Sequence, residues 1–419
     1  MVQVRDIMTK NVITLSPDDT LTSFFSLMQK HHIHDIFVVK SKDNISHRSG
    51  RAKSDISHGG GRAKSDISHG GGRAKRELVG IVRYQDIVRK GIIDPSKEKI
   101  KTIMSLKPPI ISPDMSIEEA AELIFKSGMK AMPVVEHGNI LGVVSMTDIA
   151  RHIANIKAFR QTRLEQIVTQ PEVLDIDADI GTIRVKMREK NISHIPIVNK
   201  NGTLEGMVTS FDLLKALKPR ESMGWWSMAA EMDRITSLPA STIMNKHPVT
   251  MGREATLFDA INEMTSKNVS YVILVENGIP IGIATIKDFV EFYVSQLSRP
   301  GVYVQITGLG EEDEFVQATV DRQMKDFVSK INPVFNVQFM AVHIKRHGMI
   351  QHIPKRIKYS VRIRLMTDKG MFSVSSVRWD IRDAIREALS QLERKILSFK
   401  ETIVKRQKKN RLKAKRGFD

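Results

Sequence analysis

Cysteine is absent from the 419 residues, which excludes a disulfide framework, a thiolate zinc site, an iron–sulfur cluster and a cysteine nucleophile. Long apolar runs are also missing: no stretch approaches the roughly 18 uninterrupted apolar residues of a membrane span. The opening MVQVRDIMTK has no basic segment followed by an apolar one, the mark of a secretory leader. No membrane partner and a cytoplasmic location are therefore expected. Catalytic signals are equally scarce. No Ser-His-Asp order, metal-ligand cluster or pair of carboxylates stands out, so no enzyme activity, metal site or catalytic cofactor is expected. His31 to Asp35, HHIHD, reads as a helix end entering a strand.

Positive charge is abundant, with a net +18. Residues 301–419 hold 25 Lys and Arg against 13 Asp and Glu, and residues 45–77 hold 8 against 3. The remaining 267 residues balance at +1. The two basic segments are therefore the candidates for contact with a polyanion.

Self-comparison reveals a fourfold repeat. Its openings read DIMTKNVITLSPDDTL, TIMSLKPPIISPDMSI, QIVTQPEVLDIDADIG and TIMNKHPVTMGREATL. Each is followed by a helical stretch, an apolar strand, and a closing motif: GIVRYQD, GVVSMTD, GMVTSFD and GIATIKD, starting at Gly80, Gly142, Gly206 and Gly282. The pattern predicts strand, helix, strand, strand, helix in each unit, with Ser16-Pro17-Asp18 and Ser112-Pro113-Asp114 starting the first helices, and a Gly after the middle strand marking a hairpin. The intervals between Ile7, Ile103, Ile167 and Ile243 are 96, 64 and 76 residues. Three copies of an 11-residue unit at 45–77 account for the long first interval. The third carries a linker around KPRESMGWWSMAAEMDRI, read as an amphipathic helix with Trp225 and Trp226 as packing anchors.

The closing motif has a chemical rationale. A hydroxyl three residues after the Gly can donate to a phosphate, and the Asp three further on can accept from both ribose hydroxyls. Ser145 with Asp148, Thr209 with Asp212, and Thr285 with Asp288 fit. In the first unit Asp86 remains but Arg83 replaces the hydroxyl, either to clamp a phosphate or to fill the cleft. The alternative for every pair is a helix cap, since Ser/Thr-x-x-Asp is also a capping signature.

This pattern, over about 295 residues, resembles the CBS domain family. The resemblance implies units paired head to head and clefts that bind AMP, ADP, ATP or S-adenosylmethionine, an adenine nucleotide (AMP, ADP or ATP) being the expected regulatory ligand, with Asp86, Ser145, Asp148, Thr209, Asp212, Thr285 and Asp288 as the nucleotide-binding residues. It also opens a route to a homodimer through the CBS modules.

The 11-residue units are rich in Gly, Ser, Arg and Lys without hydrophobic periodicity, and read as a flexible loop. GGGRAKS fails the phosphate-loop spacing, because His58 and Ala63 stand where Gly would be needed. The loop is either a basic arm touching phosphates or a solvated repeat expansion.

From Gly301 the pattern changes to β-α-β-β-β-α, a two-layer sandwich with both helices on one face of the sheet. In the third strand Tyr359, Val361, Ile363 and Leu365 alternate with Lys358, Ser360, Arg362 and Arg364. The last helix starts near Asp380 and aligns Ile381, Ile385, Ala388, Leu389, Leu392, Ile396, Phe399 and Ile403 in one stripe. QITG running into the first helix, and FSVSS leading into WDIRDAIREALSQLERKILSFKE, resemble the ribosome hibernation-promoting factor family, also called the sigma-54 modulation family. The resemblance implies binding in the mRNA and tRNA channel of the small ribosomal subunit and a block of translation. Lys345, Arg346, Lys355, Arg356, Lys358, Arg362, Arg364, Arg378, Arg382 and Arg386 form the expected rRNA-binding surface. Lys405, Arg406, Lys408, Lys409 and Arg411 extend it along a tail with eight basic residues among the twelve of Lys405 to Arg416.

The expected fold class is α/β (α+β): two paired CBS modules and the sandwich. The expected boundaries are 1–95 with the insertion 45–77, 96–158, 159–218, a linker helix at 219–238, 239–298, an RNA-binding domain at 299–404 and a basic tail at 405–419. The combination resembles archaeal CBS-containing hibernation factors of the dual ribosomal subunit inhibitor type, which implies a stress-responsive factor binding small-subunit rRNA, with the large subunit a further contact. A nucleotide-gated regulator of an enzyme or transporter would bind adenylate but no RNA. A DNA-binding regulator finds no helix-turn-helix or zinc-finger spacing.

Overall fold

The computed structural model describes residues 2–31, 33, 35–41, 76–83, 87, 97–216, 233–297, 303–309, 314–347 and 358–416. Almost all of the 11-residue repeats, the paired tryptophans and most of the expected linker helix lie outside the described residues. The chain divides into two compact units, Met1–Ala120 with Met129–Ser145, and Ala121–Gly128 with Met146–Asp419.

The first unit and its continuation carry repeats one and two: α1 (Val4–Ile7), β1 (Thr14–Leu15), α2 (Leu21–His31), β2 (Asp35–Ser41), β3 (Arg76–Arg83), α3 (Ile100–Ile103), β4 (Ser105–Leu106), α4 (Ile117–Ser127), β5 (Ala131–Glu136), β6 (Asn139–Ser145) and α5 (Met146–Ala154). Repeats three and four follow with α6 (Lys157–Arg160), β7 (Leu174–Asp175), α7 (Ile180–Lys190), β8 (His194–Val198), β9 (Leu204–Thr209), α8 (Ser210–Ala216), β10 (Thr250–Met251), α9 (Leu257–Ser266), β11 (Tyr271–Glu276), β12 (Ile279–Thr285) and α10 (Ile286–Gln296). Within repeats one, three and four, the first strand runs parallel to the middle one and the middle one antiparallel to the closing one. The turn Asn277-Gly278 has positive φ at both positions, 50° and 77°, the geometry of a two-residue hairpin that follows strand twist.

Openings are exchanged between neighbouring repeats. Thr9 bridges to Val143, β4 pairs with β3, Thr169 bridges to Ile283, and Met207 bridges to Asn245. The glycine of the closing motif makes this possible. It sits inside a strand, where a turn was expected, and a Cβ on Gly142 would lie 2.7 Å from Met8 Sδ and 2.9 Å from the Thr9 carbonyl. Gly206 stands in the same relation to Met244 and Asn245, and Gly80 to Met104 and Ser105. The requirement is close approach of two backbones rather than an unusual φ.

One start signal is displaced from expectation. Helices α2 and α4 begin at Leu21 and Ile117, so the Ser-Pro-Asp clusters form turns upstream of them. The cap of α4 is Ser116, whose Oγ accepts from the Glu119 amide at 3.2 Å while Glu119 accepts from the Ser116 amide. A capping box satisfies two orphan groups at once, which a lone Ser-Pro turn does not.

The C-terminal sandwich comprises β13 (Tyr303–Thr307), α11 (Glu314–Ile331), β14 (Val337–His347), β15 (Lys358–Thr367), β16 (Gly370–Arg378) and α12 (Ile381–Arg416). The strands lie in sequence order, the first pair parallel and the others antiparallel. Tyr359, Val361, Ile363 and Leu365 meet Met324, Val328, Ile381, Ile385, Leu392 and Ile396 in one core. The glycine of QITG, Gly308, has φ +92°, and a Cβ there would fall 2.0 Å from the Ile344 carbonyl oxygen. That explains the motif, because no L side chain fits.

The opposite face of the sheet was expected to be an open cationic surface. It is covered instead. Ser375 Oγ donates to the Lys190 carbonyl of α7, Gln305 Nε2 donates at 2.8 Å to the Phe125 carbonyl of α4, and Phe125 packs against Phe339 with ring centroids 5.5 Å apart. Helix α10 lies against the same face and is buried nearly all round, with Asp288, Phe289, Val290, Glu291, Phe292, Tyr293 and Val294 inside. A helix that is apolar on every side is a core helix, and here it sits between the repeats and the sandwich.

Candidate nucleotide and RNA sites

In unit three, β9 ends at Thr209 and α8 begins one residue later, which places Asp212 in the first helical turn. Oδ2 of Asp212 accepts from the Thr209 amide at 2.8 Å and from Thr209 Oγ1 at 2.6 Å. The hydroxyl and carboxylate therefore cap the helix, the alternative the sequence left open, but Oδ1 receives no hydrogen bond from the described residues. Tyr271 lies nearby, its hydroxyl within 3.5 Å of Asn245 Nδ2 and its ring 5.4 Å from that of His194. Burial pushes the Tyr271 phenol up to about 12, so it stays a neutral hydrogen-bonding group. Unit three thus offers a half-exposed carboxylate oxygen beside an aromatic wall.

Unit four repeats the cap, with Asp288 Oδ2 accepting from the Thr285 amide at 2.6 Å and from its hydroxyl at 2.9 Å. Its second oxygen is taken. Arg364 Nη1, from β15, donates to Asp288 Oδ1 and, at 2.6 Å, to Glu291 Oε2. The Arg364 side chain is 3% exposed and that of Glu291 0%. Burial opposes the charge on Arg364, but Asp288 and Glu291 outweigh it and hold the guanidinium above its ordinary range. For Glu291 burial is the largest effect and raises the carboxyl pKa, with Arg364 acting against it. Beside them Lys287 is pushed down to about 8, chiefly by burial, and donates to His343 Nε2 at 2.6 Å. His343 is held well below its ordinary value, first by burial and then by Lys287. The ring is therefore neutral, accepts at Nε2 and donates from Nδ1 to Thr307 Oγ1 at 2.6 Å.

Asp148 in unit two is 11% exposed at the start of α5, 3.8 Å from Arg151, and Ser145 ends β6. Asp86 lies outside the described residues, and Arg83 closes β3 half-buried.

The expected rRNA-binding residues separate into three groups. Arg364 and Arg362 are withdrawn from solvent: Arg364 is locked on two carboxylates, and half-buried Arg362 is pushed down to about 10 by burial and by Arg364. Lys358 bonds Glu189 of α7 at 3.5 Å and sits 5.7 Å above the Trp379 ring. Arg364 and Arg362 belong to a packed interface, where desolvating a cation costs several kcal/mol unless acids meet it, whereas the Lys358 side chain stays 35% exposed. Lys345 and Arg346 remain exposed at the end of β14, and Arg378, Arg382 and Arg386 are exposed around the start of α12. Their pairing with Glu387, Asp380 and Asp383 is solvent-exposed and contributes little. Lys405 is exposed, Arg406, Lys408, Lys409 and Arg411 lie in the helical backbone of α12, and Lys355 and Arg356 lie outside the described residues.

Sequence reasoning missed Lys287, Glu291, His343 and Thr307. A signal was present: FVEFYV is far more apolar than the closing helices of units two and three, and its acids at 288 and 291 share one face. Trp379, 57% exposed amid Arg378 and Arg382, was also passed over.

Four repeats with exchanged openings, three of them closing on a hydroxyl–carboxylate pair, define a CBS-type regulatory array joined to an α+β binding domain. The chain belongs to the CBS domain family, which it matches over residues 4–46, 100–155, 164–219 and 240–295, and it carries the C-terminal domain of hibernation factor Hib at 303–415. It is 24% identical over 370 residues to an uncharacterized protein of Methanocaldococcus jannaschii, covering 88% of this chain and 75% of that one. L-aspartate semialdehyde sulfurtransferase of the same organism is 34% identical over 117 residues, and there the chain spans only 22% of the relative's length. A crystal structure of another M. jannaschii protein covers 70% of this chain and 100% of its own, at 18% identity and a TM-score of 0.51, which establishes likeness of fold. Among the described residues no helix is long and apolar enough to cross a membrane.

Proposed function

We propose that the protein is a ribosome-binding hibernation factor whose C-terminal domain meets small-subunit rRNA and inhibits translation, and whose CBS array reports adenylate state. The observation that carries this reading is the Hib-type domain whose exposed cations lie at the ends of β14 and β16 and along α12. With the sheet face closed, contact with phosphates falls to Lys345, Arg346, Arg378, Arg382 and Arg386 and to α12. That helix continues for seventeen residues beyond Phe399, which packs on Phe372 of the sandwich, a length of about 25 Å at helical rise. Eight of its final twelve residues are basic. In the array, Asp212 and Thr209 are the residues best placed to hold a ribose and a phosphate.

Sedimentation with purified ribosomal subunits tests the reading. A protein neutralising 6–10 phosphates loses about 10³- to 10⁵-fold in affinity between about 50 and about 200 mM salt, so small-subunit co-sedimentation should collapse over that range. Absence of co-sedimentation at low salt, with adenylate still bound, would turn the reading towards a nucleotide-sensing regulator with no ribosome contact.

A further inference from the structure

The same closing motif has two different occupants in units three and four. In both, one carboxylate oxygen caps the helix through a threonine. In unit three the second oxygen receives nothing from the described residues; in unit four it holds the Arg364 guanidinium. A guanidinium N–H and a ribose O–H can each donate to the same carboxylate oxygen, and here Arg364 Nη1 alone does so, shared between Asp288 Oδ1 and Glu291 Oε2. We propose that Arg364 is a built-in surrogate ligand of unit four, standing on Asp288 where a ribose diol would stand, so that nucleotide in unit four and docking of the C-terminal sheet exclude one another.

Three observations support exclusion. Asp288 is 6% exposed, so no second ligand reaches it while the sheet is in place. Glu291 lies on the same face at 0% exposure, a second negative charge that suits a cation and repels a phosphate. The contact is also incompletely satisfied: Nε and Nη2 of Arg364 and Oε1 of Glu291 have no hydrogen-bond partner among the described residues. Buried polar atoms left unpaired weaken an interface, so the docked arrangement is one a competing ligand can displace. Displacement would uncover Arg362 and Arg364, adding cations to a domain already read as an rRNA binder. Adenylate in unit four would therefore increase, not decrease, the surface available to a polyanion.

The proposal rests on the adenylate reading of the array and is independent of ribosome binding. Titration calorimetry of AMP and of ATP into the full chain compares wild type, Arg364→Gln, and that variant combined with Asp288→Asn or Asp212→Asn. If the docked state is populated about nine-tenths, removing the surrogate raises the affinity of one site about tenfold. Asp288→Asn should cancel the gain and Asp212→Asn should not. Hydrogen exchange on the unmodified chain supplies a measurement that needs no variant: saturating adenylate should accelerate exchange at Lys358–Thr367. Unchanged exchange there, or a gain insensitive to Asp288, overturns the proposal. Binding that depends on Asp212 alone overturns it while leaving the adenylate reading intact, and no binding by any form removes both.

Discussion

His343 and His347 are both kept neutral in the folded chain, by burial first and then by neighbouring cations, with His347 pushed down to about 4. In the unfolded chain each titrates near 6.5. Below that pH the unfolded state binds more protons than the folded one, so stability falls as pH drops. Thermal unfolding followed from pH 7 to pH 4.5 should show a declining midpoint, and His347→Gln, whose amide reaches the position of the Nε2 that bonds Ser360, should flatten the decline. Lys287 acts in the opposite range. Its folded value of about 8 lies below the ordinary 10.5, so it lowers stability below pH 8 and the penalty lifts as pH rises from 8 towards 10.5. Lys287→Met should remove the gain seen between pH 8 and pH 10 in the same measurement. Arg364→Ala should be the most damaging single change among the interface cations, by about 3–5 kcal/mol, because it strands two buried carboxylates.

At the scale of elements, two glycines make opposite demands. Gly308→Ala violates both φ and space and should destabilise the sandwich by well over about 1–3 kcal/mol, the usual range for overpacking. Gly142→Ala leaves φ unstrained but sets a methyl against the Thr9 carbonyl, and should fall within that range; urea unfolding distinguishes the two. Strand and helix order was legible in the sequence because each repeat carries its own period, and the sandwich because its alternation on β15 is strict. The exchange of openings was not, since Gly142 and Met8 are 134 positions apart and nothing local marks their approach. The fate of the alternating basic face was misread for a related reason. Arg362 and Arg364 look solvent-facing on a sheet taken alone, and only FVEFYV in α10 hinted that an acidic, otherwise apolar helix lay beside them. Thr209 with Asp212 and Thr285 with Asp288 were found by spacing, but spacing could not tell an accessible carboxylate from an occupied one.

Across the whole molecule, the excess of positive charge is concentrated towards the C-terminal end. The array is nearly neutral outside the 45–77 insertion, while residues 301–419 carry +12. Removing Lys405–Asp419 should therefore reduce the salt dependence of subunit binding without altering adenylate affinity. With roughly 0.7 of a counterion released per phosphate on a single strand, losing even four contacts lowers the slope by about 3.

The exchanged openings also bear on how the chain is made. Thr9 leaves the ribosome long before Val143, the residue with which it pairs. At synthesis rates of about 5–20 residues per second, the first opening waits roughly 7–27 s for its strand. The 33 residues of insertion account for a quarter of that delay. Shortening the insertion should bring the first pair of repeats together sooner during synthesis, since fewer residues would separate Thr9 from Val143.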